Sequence, residues 1–208
     1  PFNEPARDLR ILNKPLWLVQ RDSLAPYTNQ EIDIFPGEKI PIENISCVVF
    51  RDNLFFDETF IKSFIDLAKG KNCAVRAAFS IVDAAFREHC LPLSSSYEKK
   101  DDLYFADLWY YPYGPTDEVE PLVMNLQSQE IGYYHVPTYM AFNQGDLVYQ
   151  VPLQSLIAID SWVHVFIADA IFGLFARGAR FEMRLKNDPK FMLGVLFTSM
   201  YEGKQLLT

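Results

Sequence analysis

Asp52 is the side chain best placed for chemistry. It follows Ile45-Ser-Cys-Val-Val-Phe-Arg51, where residues 46–50 read as a strand buried on both faces, the habit of a parallel sheet. In open α/β sheets ligands collect at the carboxyl ends of strands. A carboxylate there suits Mg²⁺, a hard cation that takes one or two carboxylates together with substrate phosphates. The alternative is a loop residue capping a turn. His164 lies in an apolar stretch and fits a hydrogen-bonded core residue as well as a ligand or base. His135, beside Tyr133 and Tyr134, fits a pocket wall or plain packing. His89-Cys90 lacks the spacing of a zinc site. Ser94-Ser95-Ser96 reads as a loop, since no G-x-S-x-G elbow occurs. Neither G-x-x-x-x-G-K-[ST] nor G-x-G-x-x-G is present to cradle a phosphate.

The elements around Asp52 are clear in outline. Asp57 is a good N-cap for a helix over 58–69, whose Phe60, Ile61, Phe64, Ile65 and Ala68 share one face, with Gly70 closing it. A second apolar strand over 73–79 completes a β-α-β crossover, expected to be right-handed. Pro15 is placed to open a helix carrying Leu16, Val19 and Leu24. The loop after it is punctuated by Pro36-Gly37 and Pro41, and residues 83–90 form a short helix. Residues 103–111 form a long aromatic strand, a core strand or else a sugar-stacking platform of Trp109, Tyr110 and Tyr111. Residues 122–126, 131–136 and 147–151 read as antiparallel or edge strands. Ser161 caps a helix over 162–177 that Gly178 stops, and Asp188-Pro189 opens another over 190–202.

The 208 residues, 50% hydrophobic and 15% aromatic, fit a single domain with a core rich in Phe and Tyr. A net charge of −8 argues against nucleic acid or an anionic membrane as partner, since both need surplus Lys and Arg. Cys47, Cys73 and Cys90 form no CxxC pair; Cys47 and Cys73 read as buried small hydrophobes. With no signal-like start, that suits a reducing cytoplasm. Residues 163–176 come closest to a membrane span, but the run is short and carries Asp169, so a helix buried in protein is expected.

Three segments, in order, resemble the sugar-1-phosphate nucleotidyltransferase family. Leu12-Asn13-Lys14-Pro15-Leu16-Trp17-Leu18-Val19-Gln20 is similar to the family's K-P-L segment, which follows its signature loop and begins a helix. Val48-Val49-Phe50-Arg51-Asp52-Asn53-Leu54-Phe55-Phe56-Asp57 resembles the strand whose first Asp binds the catalytic metal. Ser161-Trp162-Val163-His164-Val165, followed by Ala168-Asp169-Ala170, resembles the late W-x-D segment that supplies the second metal Asp. The resemblance implies a three-layer α/β sandwich with a central mixed sheet, a GT-A-like, Rossmann-like core. It implies one domain over 1–208, with 179–208 a helical connector to a downstream hexapeptide-repeat β-helix, through which the chain would form a homo-oligomer.

The departures from the family shape the functional expectation. The family's Gly-rich loop would lie at or before Pro1–Asp8, and counting back from Lys14 to its catalytic Lys lands on Ala6, with Arg7 beside it. Arg7 or Arg10 would have to supply the catalytic charge, though Arg is no drop-in for Lys. Lys14, Asp52 and His164 hold the cofactor positions, and Asp52 with His164 the Mg²⁺ positions, although Mg²⁺ prefers oxygen to imidazole. The expectation is a nucleotidyltransferase-like domain with a degenerate site and an assembly or regulatory role, with a nucleotide or sugar phosphate as ligand. The alternatives are an active transferase joining a nucleoside triphosphate to a sugar-1-phosphate, and a non-catalytic carbohydrate-binding module. If the resemblance holds, Asp52 and His164 converge on one cleft.

Overall fold

The computed structural model describes residues 4–35, 37–38, 44–133 and 147–206. His135, Pro36 and Pro41 lie outside the described residues. After a 3₁₀ turn over Ala6–Asp8, a short hairpin, β1 (Arg10–Ile11) and β2 (Lys14–Pro15), runs into α1 (Leu16–Leu24). Next come β3 (Cys47–Phe50), β4 (Leu54–Phe56), α2 (Glu58–Lys71) and β5 (Val75–Ser80), then β6 (Glu98–Lys100), β7 (Leu103–Tyr111) and β8 (Glu120–Met124). The strands β9 (Gln129–Tyr133), β10 (Leu147–Val151) and β11 (Leu156–Ala158) lead to a helical C-terminal part.

The architecture is mixed α/β with a central mixed sheet and helices, compatible with an α/β sandwich. Its main sheet runs β3-β7-β5-β8, with β6 also on β7. The β3-α2-β5 unit is present, but β7 lies between its two strands and pairs antiparallel with each. That makes it a split β-α-β rather than a directly paired crossover. The parallel pair is β5 with β8.

Two expectations about strands change here. The strand before Asp52 is not buried on both faces: β3 is an edge strand, half-buried throughout. The strand with both faces in the core is β4, three residues further on, which pairs antiparallel with β11. Its Leu54-Phe55-Phe56 reads in the sequence as the approach to a helix, because the turn separating it from β3 holds only Arg51, Asp52 and Asn53 between apolar runs.

The core is built from phenylalanine. Phe55, Phe56, Phe60, Phe64, Phe79, Phe86 and Phe172 are all fully buried, with Phe79 stacked on Phe86 at 4.7 Å between centroids. Offset ring pairs of this kind add about 0.5–1.5 kcal/mol beyond their burial. On β7, Ala106, Leu108 and Tyr110 point into this core, while Phe105, Asp107 and Trp109 are half-buried on the other side. Arg76 lies across that side. Its guanidinium sits 4.9 Å from the Trp109 ring centroid, bonds Asp107 at 2.8 Å and donates to the Ala106 carbonyl at 2.9 Å. Tyr110 and Tyr111 are both buried, so they offer solvent no stacking face. Among the cysteines the fully buried thiol is Cys90, whereas Cys47 and Cys73 are half-buried.

The C-terminal helix does not stop at Gly178. It runs as α3 (Trp162–Phe166), widens to i→i+5 spacing over Ile167–Phe175 and continues as α4 (Ala176–Asn187), followed by α5 (Pro189–Leu206). A Cβ at Gly178 would meet nothing within 4 Å, and a helix tolerates such a glycine at about 1 kcal/mol. The tie that carries the helix past it is Arg180, which bonds Asp57 at 2.7 Å and the Leu153 carbonyl at 3.1 Å. Within Trp162–Asn187 an 18-residue window reaches a mean hydropathy of 1.3, long and apolar enough by length and composition alone to cross a membrane, and 39% of that window is buried. Here it is docked on the sheet domain through His164, Asp169, Phe172 and Arg180.

Candidate functional site

Asp52 sits in the tight connection between β3 and β4, where the Leu54 amide donates to the Arg51 carbonyl at 3.1 Å. Its side chain is exposed and makes no hydrogen bond or ion pair among the described residues. Its backbone is held from α1: the Gln20 side-chain amide donates to the carbonyls of Asp52 and Leu54 at 3.0 and 2.7 Å. Gln20 is buried, so this fork fixes the turn against the first helix.

The neighbouring residue, Asn53, turns the other way, toward the end of β11. Its amide donates to Asp160 at 3.1 Å, and its carbonyl accepts from the Ile159 amide at 2.8 Å. Asp160 is the most heavily bonded acid of the region. One oxygen accepts from Ser96 Oγ at 2.6 Å and from Asn53; the other accepts from Ser94 Oγ at 2.7 Å and from the amides of Ser95 and Ser96 at 2.8 and 3.0 Å. Burial alone would raise the Asp160 carboxyl, but hydrogen bonds from Ser96, Ser94 and the two amides outweigh it and hold the group below its ordinary range.

His164 completes the clasp. Ser161 caps α3 as the sequence predicts. The imidazole behind it is fully buried: Nδ1 accepts from the Asp160 amide at 3.0 Å, and Nε2 lies 2.7 Å from the Pro92 carbonyl. A carbonyl can only accept, and Nδ1 is already an acceptor, so the ring is neutral with its proton on Nε2. Both nitrogens are committed and neither has a lone pair left for a cation. The residues present therefore do not fit an Asp52–His164 pair of Mg²⁺ ligands. Among the described residues no group of three or more His, Cys, Asp and Glu gathers to hold a metal.

The same cluster contains the residue types of a hydrolase triad, Ser94, Asp160 and His164. Their roles do not match one. A triad needs the imidazole bonded to the hydroxyl and the acid bonded to the imidazole. Here the acid takes the hydroxyl directly, and the imidazole faces a backbone amide and a carbonyl. What the arrangement can do is hold residues 92–96 against the turn that carries Asp52.

The other sequence candidates sit on the N-terminal segment, each with a local partner. Arg7 lies 3.5 Å from Asp33, Arg10 bonds Asn13 at 3.2 Å, and Lys14 pairs with Asp22 at 2.7 Å. Exposed pairs of this sort are worth about 0–1 kcal/mol and release easily. The hairpin that carries Lys14 turns through Leu12 and Asn13, both at positive φ (53° and 62°). Asp169 accepts the Leu12 amide at 2.6 Å, and Gly173 leaves room for the Leu12 side chain. The first segment touches the second through Gln20, the third touches the first through Asp169 and Leu12, and Asn53 of the second bonds Asp160, the residue before the third.

No family model, no curated protein and no solved structure matches this chain.

Sequence reasoning assigned no role to Asp160, Asn53 or Asp169. The signal was faint. Three consecutive serines supply donors that need an acceptor, and an acid immediately before a helix cap is a ready one, but the partners are 64–66 residues apart.

Proposed function

We propose that this chain is a nucleotidyltransferase-like scaffold whose catalytic metal centre has been lost and which serves assembly or regulation. The observation that carries the reading is the state of His164. In the resembled family this position is the second metal carboxylate; here it is a buried neutral imidazole with both nitrogens bonded into the fold. Losing one preorganised charge donor costs about 10²–10³ in rate. The sequence also alters the position of the catalytic Lys, so turnover by the family's route is not expected.

One observation favours the alternative, an active transferase. The Asp52 carboxylate is exposed at the turn that Gln20 holds against α1, open to a cation carried in by a nucleotide. Arg7, Arg10 and Lys14 would then leave their surface partners for phosphate. Calorimetric titration with nucleoside triphosphates and sugar-1-phosphates in Mg²⁺ separates the two readings, paired with an assay for pyrophosphate. Weak binding or none, without pyrophosphate release, is the expected result. Turnover that disappears in Asp52→Ala would overturn the scaffold reading and establish the transferase.

A further inference from the structure

The widened stretch Ile167–Phe175 is nine residues long, whereas i→i+5 spacing ordinarily lasts a single turn. Its length has a geometric consequence. The helix buries His164, Ala168, Phe172 and Ala176, a repeat of four, and Arg180 continues that repeat onto Asp57. An α-helix turns ~100° per residue, so the sixteen residues from His164 to Arg180 would leave the two side chains ~160° apart, on opposite faces. At about 4.2 residues per turn the nine widened residues turn ~15° less each, and the difference shrinks to ~25°. In α register throughout, His164 and Arg180 would not both face the sheet domain.

The i→i+5 register is the rarer one, so a stretch this long needs support from outside the helix. The first hairpin supplies it. The Leu12 amide donates to Asp169 at 2.6 Å, and the Leu12 side chain occupies the space that a Cβ on Gly173 would need. Asp169 and Gly173 stand one turn apart, both inside the widened stretch, and Leu12 bridges them. It does so from a φ of 53°, a backbone region that leucine seldom adopts. The cations either side of Leu12 are held lightly, Arg10 by Asn13 and Lys14 by Asp22, both at the surface.

We propose that Leu12 is a register wedge. Seated, it holds Ile167–Phe175 wide and Arg180 on Asp57. Withdrawn, it lets the stretch tighten to α, which turns α4 by ~135° and carries Arg180 off Asp57. The hairpin and the Asp57–Arg180 pair are then two ends of one two-state element, biased from either side. The wedge gives the regulatory role proposed above a moving part, since whatever draws Arg10 or Lys14 from its surface partner pulls on Leu12 between them. It rests on that reading for its purpose but not for its geometry.

Thiol labelling of the full chain with iodoacetamide tests it, read peptide by peptide in a mass spectrometer to separate each new thiol from Cys47 and Cys73. Ala176 is fully buried, and Gly178 lies on the open side of the helix. A turn of ~135° exchanges them. With the wedge seated, the thiol of Gly178→Cys should react at least ~10-fold faster than that of Ala176→Cys. Leu12→Gly suits the φ of 53° and removes only the side chain, so the chain keeps its hairpin, and the ratio should fall to about one or below. Adding Asp169→Ala removes the hydrogen bond as well and should reverse the order outright; if that double variant does not fold, Leu12→Gly alone decides. Asp169→Asn keeps an acceptor for the Leu12 amide and should label as wild type. The Asp57–Arg180 coupling gives an independent reading through a double-variant cycle in urea. It should be at least ~5-fold in the folding constant with Leu12 present and within ~2-fold of none in Leu12→Gly. A thiol ratio unchanged in Leu12→Gly overturns the proposal, as does a coupling that survives there. Rapid labelling at both positions in Leu12→Gly means that the helix has come apart rather than turned, and overturns it too. Pyrophosphate release would sink the scaffold reading and leave the thiol ratio untouched, so the two failures are distinct.

Discussion

Replacing Arg180 by Met should expose how the C-terminal helix is locked to the sheet. Asp57 caps α2 by accepting the Phe60 amide at 2.8 Å and simultaneously takes Arg180 at 2.7 Å. Their side chains are 13% and 23% exposed. Removing one partner of a fully buried pair costs about 3–5 kcal/mol, because a charge is left without compensation. Partial exposure and the surviving Phe60 amide bring this to about 2–3 kcal/mol, a fall in Tm of roughly 5–10 °C for a chain of this size. Asp57→Asn keeps the cap, since Asn serves nearly as well, and should cost about 1–2 kcal/mol. The double variant should be more stable than the two separate losses added together, by at least ~1 kcal/mol. The pH dependence gives a second check. Burial pushes the Asp57 carboxyl up, with Arg180 and the Phe60 amide pulling it partly back. An acid raised in the folded state costs stability above its folded pKa, and the cost is relieved as pH falls through that value. Without Arg180 the carboxyl rises further, so the deficit of Arg180→Met relative to wild type should shrink between pH 7 and about pH 4.5. Urea unfolding of all four proteins at both pH values measures this. Additive losses with a pH-independent deficit would refute the account of an uncompensated charge.

Two further substitutions probe the site. Asp160→Asn puts an amide donor among five existing donors and should cost about 2–4 kcal/mol. Because this carboxyl is lowered in the fold, its contribution is present above the unfolded value near ~3.9 and is lost as pH falls through the folded one. The variant should therefore lose less stability than wild type on acidification below about pH 4, and parallel acid limbs would contradict the assignment. Gly173→Ala should cost about 1–3 kcal/mol, since the added methyl meets the Leu12 side chain and lies 3.0 Å from the Ala168 carbonyl; Leu12→Ala in the same chain should recover part of the loss in thermal melts.

The sequence was readable wherever a local rule dictated the structure. Asp57 and Ser161 announce their helices because a cap needs only an acceptor and the amide three residues on. Strand β7 stands at its predicted bounds because nine residues of alternating, aromatic-rich character permit little else. The misplaced features are decided at long range. Nothing near Cys47–Phe50 says that β7 will insert between it and β5, leaving β3 at the sheet edge; that depends on a strand more than 50 residues later. Gly178 fails to stop its helix because Arg180 has a partner 123 residues back. The site follows the same division. Asp52 is legible because it ends an apolar run, and its exposure follows from the turn it occupies. The fate of His164 is not, since it rests on Pro92 and on the serine loop 64–66 residues before Asp160. A histidine in a metal-ligand position of a resembled motif and a histidine that stitches two loops together are the same letter. What separates them is whether both nitrogens find partners inside the fold, and here both do.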